Sequence, residues 1–191
     1  MKKAGFVSSV FVTLLLTAFT VQNIWKSDKA HSELGFSIKH LGISEVSGTF
    51  NDFEATVKSS KADFSDAVVE AAIQVASVDT RIGDRDNHLR SADFFDAEKY
   101  PQITFKSTGI KSTGKDKYRL TGNLTAKGIT KQVELDLTHE GTIEHPMSKK
   151  PTAGFKLTGV IKRSDFGIGT AFPAPMLSDE VTLTVNAEIQ R

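Results

Sequence analysis

The 191 residues, 39% hydrophobic and 25% charged, have the length and composition of one globular domain rather than of a disordered or membrane-filling chain. The formal charge of +1 becomes −1 once Lys2 and Lys3 are set aside, with 22 basic against 23 acidic residues, so no electrostatic pull toward nucleic acid remains and none is expected as a partner. Cysteine is absent, which excludes disulfides, zinc–thiolate sites, thiol catalysis and a lipidated N-terminal cysteine.

The chain opens on Lys2-Lys3, followed by an apolar run from Phe6 to Phe19 with no acidic residue before Asp28. That pattern predicts a secretory signal over residues 1–20, a mature domain over 21–191, and a periplasmic or secreted location. An uncleaved anchor is the alternative, because residues 4–21 approach the roughly 18 needed to span a bilayer, although Ser8, Ser9, Thr13 and Thr17 weaken it.

After Trp25 the sequence carries no long helical periodicity; segment after segment alternates apolar and polar residues with period two, as half-buried strands do. The first apolar row is Leu34, Phe36, Ile38 and His40. Val46, Gly48 and Phe50 form the next, continued by Phe53, Ala55 and Val57 on the opposite parity, which predicts a bulge or bend near Asn51-Asp52. Val69, Ala71, Ile73 and Val75 follow, then Ile103 and Phe105, then Tyr118, Leu120, Gly122 and Leu124 after the turn residues 114–116. The final rows are Ile129, Val133, Leu135 and Leu137; Phe155, Leu157, Gly159 and Ile161; and Val181 through Ile189. About eight strands with one apolar face must close on themselves, which gives an all-β antiparallel barrel. The small interior residues Ala71, Gly122 and Gly159 favour a cavity within it. Two stretches break the pattern, residues 83–100 and 167–178; the first is expected to hold a short helix over 84–91, and both to cover an end of the barrel.

Along this frame lie Asp28 with His31-Ser32, Phe36-Ser37-Ile38-Lys39-His40-Leu41-Gly42, Val46-Ser47-Gly48-Thr49-Phe50 and Ser77-Val78-Asp79-Thr80. Arg85-Asp86-Asn87-His88-Leu89-Arg90-Ser91, Asp93-Phe94-Phe95-Asp96, Tyr100-Pro101, Gly122-Asn123-Leu124-Thr125 and Arg163-Ser164-Asp165-Phe166-Gly167 follow in order. In these motifs the chain resembles the YceI-like family, the lipocalin-like polyisoprenoid-binding proteins. The resemblance implies an extended eight-stranded lipocalin-like barrel with a short helical segment, and an apolar tunnel for a polyisoprenoid, quinone, fatty amide or similar amphiphilic lipid.

Such a ligand needs a long apolar tube with a few polar groups at one end. The residues expected to supply the tube are Phe36, Ile38, Val69, Ile73, Phe94, Phe95, Phe105, Leu120, Leu135, Phe155 and Leu157. Taken singly, a Phe or Leu facing a barrel interior is more often plain core than ligand wall. The polar candidates are His40, His88, Arg90 and Arg163. Arg163, with His88 and Arg90, either meets the lipid head or, as is favoured for Arg163, stands in a salt bridge to Asp86 or Asp165; His40 is open between a ligand contact and a strand-end hydrogen bond.

No enzyme is expected: the sequence has no nucleophile elbow, and His31-Ser32 lacks an evident third partner. The scattered histidines have no metal-ligand spacing, so neither metal nor cofactor is expected besides the lipid. The competing reading is an interaction protein acting on a membrane-bound partner or protecting the periplasm under stress, with the lipid as structural filler. Edge strands could also pair two copies into a homodimer.

Overall fold

The computed structural model describes residues 22–191. The expected signal segment lies outside the described residues. The strands are β1 (Asn23–Ser27), β2 (Glu33–His40), β3 (Ser44–Phe50), β4 (Phe53–Ser59), β5 (Val68–Gln74), β6 (Val78–Asp79), β7 (Gln102–Gly114), β8 (Lys117–Ala126), β9 (Ile129–Glu144), β10 (Pro151–Lys162) and β11 (Leu177–Gln190). Among the described residues one α-helix, α1 (Gly83–Arg90), matches the expected helix to within a residue.

All pairings are antiparallel, and the sheet closes through β1, β4, β5, β7, β8, β9, β10 and β11, with β11 returning to β1. An eight-stranded barrel results, and it is extended at one end by β2 and β3, which continue from β11. The register shows how. The C-terminal end of β11 pairs with β1 through Lys26–Gln190 and Ser27–Ile189, whereas its N-terminal stretch pairs with β2 from Asn186–Glu33 to Leu177–His40. β1 and β2 therefore act as one stave broken at residues 28–32, and β3 and β4 as a second, broken at Asn51-Asp52 where the parity of the apolar residues changes. There Asn51 N donates to Ser77 O and Asp52 O accepts from Gln74 N, so the break is hydrogen-bonded on both sides.

The first break is clasped by Asp28. Its carboxylate accepts from Ala30 N, His31 Nδ1 and Gln190 Nε2, while Ser32 Oγ bridges the N–H and C=O of Glu188. β1 carries no alternating row of its own in the sequence reading, which began the barrel at Leu34.

Side-chain layers follow from the register. On β8 the inward row runs Tyr118, Leu120, Gly122, Leu124, Ala126; on β10 it runs Phe155, Leu157, Gly159, Ile161; the two rows rise toward the same end. The low end is packed solid. Trp25, Val57, Phe64, Tyr118, Leu137, Phe155 and Ile189 form one buried cluster there. Phe64 corks it, with its ring centroid 5.3 Å from that of Trp25, 5.0 Å from Phe155 and 5.1 Å from His139. It comes from the β4–β5 loop, held by Asp66, whose carboxylate accepts from the Ser59 and Ser60 hydroxyls and the Ser60 N–H. Burial pushes the Asp66 carboxyl up, but these hydrogen bonds outweigh it and hold the group well below the usual carboxylate range.

The middle of the barrel corrects one expectation. Gly122 and Gly159 do not open space for a ligand: a Cβ at Gly122 would overlap the Phe105 ring, and one at Gly159 would overlap the Leu135 side chain. Each glycine is the hole into which a neighbouring strand's large residue fits.

Candidate functional site

Above this packed middle the inward rows separate and leave a cavity of about 430 Å³. Its walls are the upper ends of the staves: Leu34, Phe36 and Ile38 of β2, Val46 and Phe50 of β3, Ile73 of β5, Ile103 of β7, Leu124 and Ala126 of β8, Ile161 of β10, and Leu177, Val181 and Leu183 of β11. The two irregular stretches form the roof, as expected. α1 and its following loop contribute Leu89, Phe94 and Phe95, and the loop before β11 contributes Ile168, Phe172 and Met176.

Aromatic contacts tie the two halves of the roof together. Phe94 stacks on Phe172 with centroids 5.1 Å apart, and the His88 ring meets both edgewise at 4.9 and 5.7 Å. His88 Nε2 lies 3.1 Å from Asp93 Oδ2. Gly169, at φ +59, brings the loop backbone so close to Phe94 that no side chain fits there. The cavity reaches the surface where His40, His88 and Met176, all exposed, form part of its wall.

Of the residues singled out from sequence, Phe36, Ile38, His40, Ile73, His88, Phe94, Phe95 and Arg163 line this cavity. Phe105, Leu120 and Leu135 lie below it in the packed middle, Phe155 belongs to the low cluster, and Val69 and Leu157 are half-buried between the two. The expected long tube is therefore confined to the upper part of the barrel. The reason is physical: period-two parity identifies which residues face inward, not how high along the barrel the facing side chains cease to meet.

Arg90 is turned away from the cavity. Its Nε donates to Ala76 O, its Nη2 to Val78 O and its Nη1 to Asn87 Oδ1, which fastens α1 to the end of the preceding strand. Arg163 lines the cavity but makes no salt bridge to Asp86 or Asp165. Its Nε donates to Ser178 O, Nη1 to Ile168 O and Gly169 O, and Nη2 to Phe172 O and Leu177 O. All five N–H groups of the guanidinium are thereby consumed by the carbonyls of the roof loop. Backbone carbonyls thus stand where a salt bridge to Asp86 or Asp165 was expected.

Asp86 is buried and serves Thr80 instead, accepting from both its N–H and its hydroxyl. Sequence reasoning missed Arg85, which also lines the cavity, because a polar helix of two turns carries no apolar periodicity to show which of its cations faces inward.

Among the described residues one group of metal-ligating side chains converges, Asp28, His31 and Glu188, with ligand atoms within 4.8 Å of one another. It sits at the clasp of the first broken stave, where His31 lowers the Asp28 carboxyl and is itself raised by it. That ion pair and the bond from Gln190 account for the cluster as a structural joint.

The YceI-like domain model matches residues 25–189. Protein YceI of Escherichia coli O157:H7 is 41% identical over 190 residues, covering 97% of both chains. The chain belongs to the YceI-like family. Among solved structures, BcnA of Burkholderia cenocepacia is similar at a TM-score of 0.77 and 30% identity, over 85% of this chain and 98% of that one. A polyisoprenoid binding domain from Saccharophagus degradans shares the fold at a TM-score of 0.64 and 14% identity, over 87% of this chain and 97% of that one.

Proposed function

We propose that this YceI-like protein binds one amphiphilic lipid tail in the roofed cavity and carries it through the periplasm or another extracytoplasmic space. The observation that carries the reading is the cavity itself: a wall of apolar side chains from seven strands and two roof segments, with its few polar groups set near the roof. Binding rather than catalysis is supported by the same wall and by the polyisoprenoid binding of the Saccharophagus domain. Carriage, rather than a lipid serving as permanent filler, is supported by the mouth. There Leu41, Ile43 and Met176 expose large apolar side chains, Ile43 by 88%, beside the opening through which a tail would leave.

The volume sets the tail. A methylene takes about the room of a water molecule, roughly 30 Å³, so the 430 Å³ cavity holds on the order of fifteen carbons, about three isoprene units. Each buried carbon contributes about 0.8 kcal/mol gross, or about fourfold in affinity. Binding of prenols from C10 to C40 should therefore strengthen steeply to about C15 and then flatten, with longer chains emerging at the mouth. A failure of every prenol to bind sinks the lipid reading; a rise continuing to C40 sinks the length limit and means that the packed middle opens. Transfer of bound prenol to phosphatidylcholine vesicles within minutes supports carriage, and a prenol that never leaves the protein identifies a filler.

A further inference from the structure

We infer that Arg85 is the residue that recognises the head of the bound lipid, and that the preferred head is acidic, a carboxylate or a phosphate ester. The inference rests on the lipid-binding reading above and asks which cation at the cavity has bonding capacity to offer. Five side chains with polar atoms line the wall: His40, Thr80, Arg85, His88 and Arg163. Arg163 has none to spare, since every N–H already meets a roof carbonyl. His88 faces Asp93 at 3.1 Å, and Thr80 Oγ1 donates to Asp86 and accepts from Arg85.

Arg85 differs from them. Nε donates to Thr80 Oγ1 and Nη2 to Thr80 O, both at 2.7 Å, which fixes the plane of the guanidinium. Three of its five N–H groups, two on Nη1 and one on Nη2, have no hydrogen-bond partner among the described residues, and no carboxylate lies within 4.0 Å of it there. Asp86 reaches it only through the Thr80 hydroxyl. A half-buried guanidinium, held by two bonds on one edge and open on the other, is preorganised for two parallel bonds to one planar or tetrahedral anion. Its position on the cavity wall means that the anion arrives attached to an apolar tail.

The matching probe series is farnesol, farnesoic acid and farnesyl monophosphate, which share one C15 tail. Affinities are read by displacement of a fluorescent fatty-acid analogue at pH 7.5, on the wild-type protein, Arg85→Gln and Arg85→Lys. Arginine–carboxylate bonds to a half-exposed group should give the acid and the phosphate about a tenfold advantage over the alcohol in the wild type. Arg85→Gln should bring the three within about twofold of one another, and Arg85→Lys should keep part of the preference. Tighter binding of the phosphate than the acid assigns the head to a prenyl phosphate; the reverse assigns it to a fatty or prenyl acid. Equal binding of all three by the wild type, or a preference that survives in Arg85→Gln, overturns the assignment. The ratio of acid to alcohol is the deciding quantity, because a loss of stability in Arg85→Gln lowers both affinities together. If farnesol itself does not bind the wild type, the lipid-binding reading fails first.

Discussion

Replacing Arg163 by methionine keeps most of the aliphatic stem and deletes the donors that hold the roof loop. Five carbonyls lose a partner, those of Ile168, Gly169, Phe172, Leu177 and Ser178. The last three belong to half-buried residues whose oxygens water can reach after a small shift, whereas Ile168 and Gly169 are buried. Gly169 O keeps the Phe172 N–H, so Ile168 O is the buried carbonyl left without a partner, and the loss should be about 1–3 kcal/mol. Urea denaturation followed by tryptophan fluorescence reads it, since Trp25 is the only tryptophan and lies in the opposite, packed end of the barrel. Amide exchange should rise over residues 168–177 and stay unchanged at β8 and β9. A variant within about 0.5 kcal/mol of the wild type, with the loop still protected, would refute the account, for it would mean that the roof is held by its aromatic stack alone. Arg163→Lys should recover only part of the loss, because an ammonium cannot span five acceptors.

Three further outcomes follow from the packing. Gly122→Ala and Gly159→Ala should each destabilise by about 1–3 kcal/mol in denaturant titrations, while Gly154→Ala, whose Cβ would meet only Glu140 Cβ at 3.6 Å, should be near neutral. Phe64→Ala should cost about 3–5 kcal/mol and leave farnesol binding in the upper cavity intact, measured by the same displacement assay. The depressed Asp66 carboxyl contributes stability that is present above its unfolded pKa near 4 and lost as pH falls below it. Asp66→Asn should accordingly be less stable than the wild type at pH 7, and the gap should narrow as unfolding is measured at successively lower pH below about 4.

The fold was legible in the sequence because a closed sheet with one wet face writes its inside and outside as alternate residues. Eight apolar rows, the parity change at Asn51-Asp52 and the turn at residues 114–116 each have a counterpart in the strands. β1 escaped because Asn23–Ser27 is too short to show alternation, and its neighbour Asp28 reads as a surface residue although it splices two strands. Phe64 escaped for a related reason: an aromatic in a polar loop carries no periodicity, and only the closing of the chain on itself places it among Trp25, Phe155 and His139. The motif cluster over residues 83–100 did point to the roof, but a motif does not state which of several cations has its donors spent.

The position of the cavity follows from how large and small residues alternate across strands, a pairing that runs between segments far apart in sequence. Gly122 faces Phe105 of β7, and Gly159 faces Leu135 of β9, so each small residue is matched by a large one and the middle of the barrel closes. Gly48 of β3 is likewise approached by Phe36 and Thr80. Near the top Ala126 of β8 and the paired Ile161 and Val181 of β10 and β11 line the cavity, together with the rings of Phe94, Phe95 and Phe172 from the roof. Residue identity on one strand is therefore insufficient to locate a cavity; the deciding quantity is the summed size at one level of the barrel. By that criterion the binding space belongs to the roofed end, where the open edge of Arg85 and the exposed apolar rim also lie, and the low end is the rigid base that keeps the staves apart.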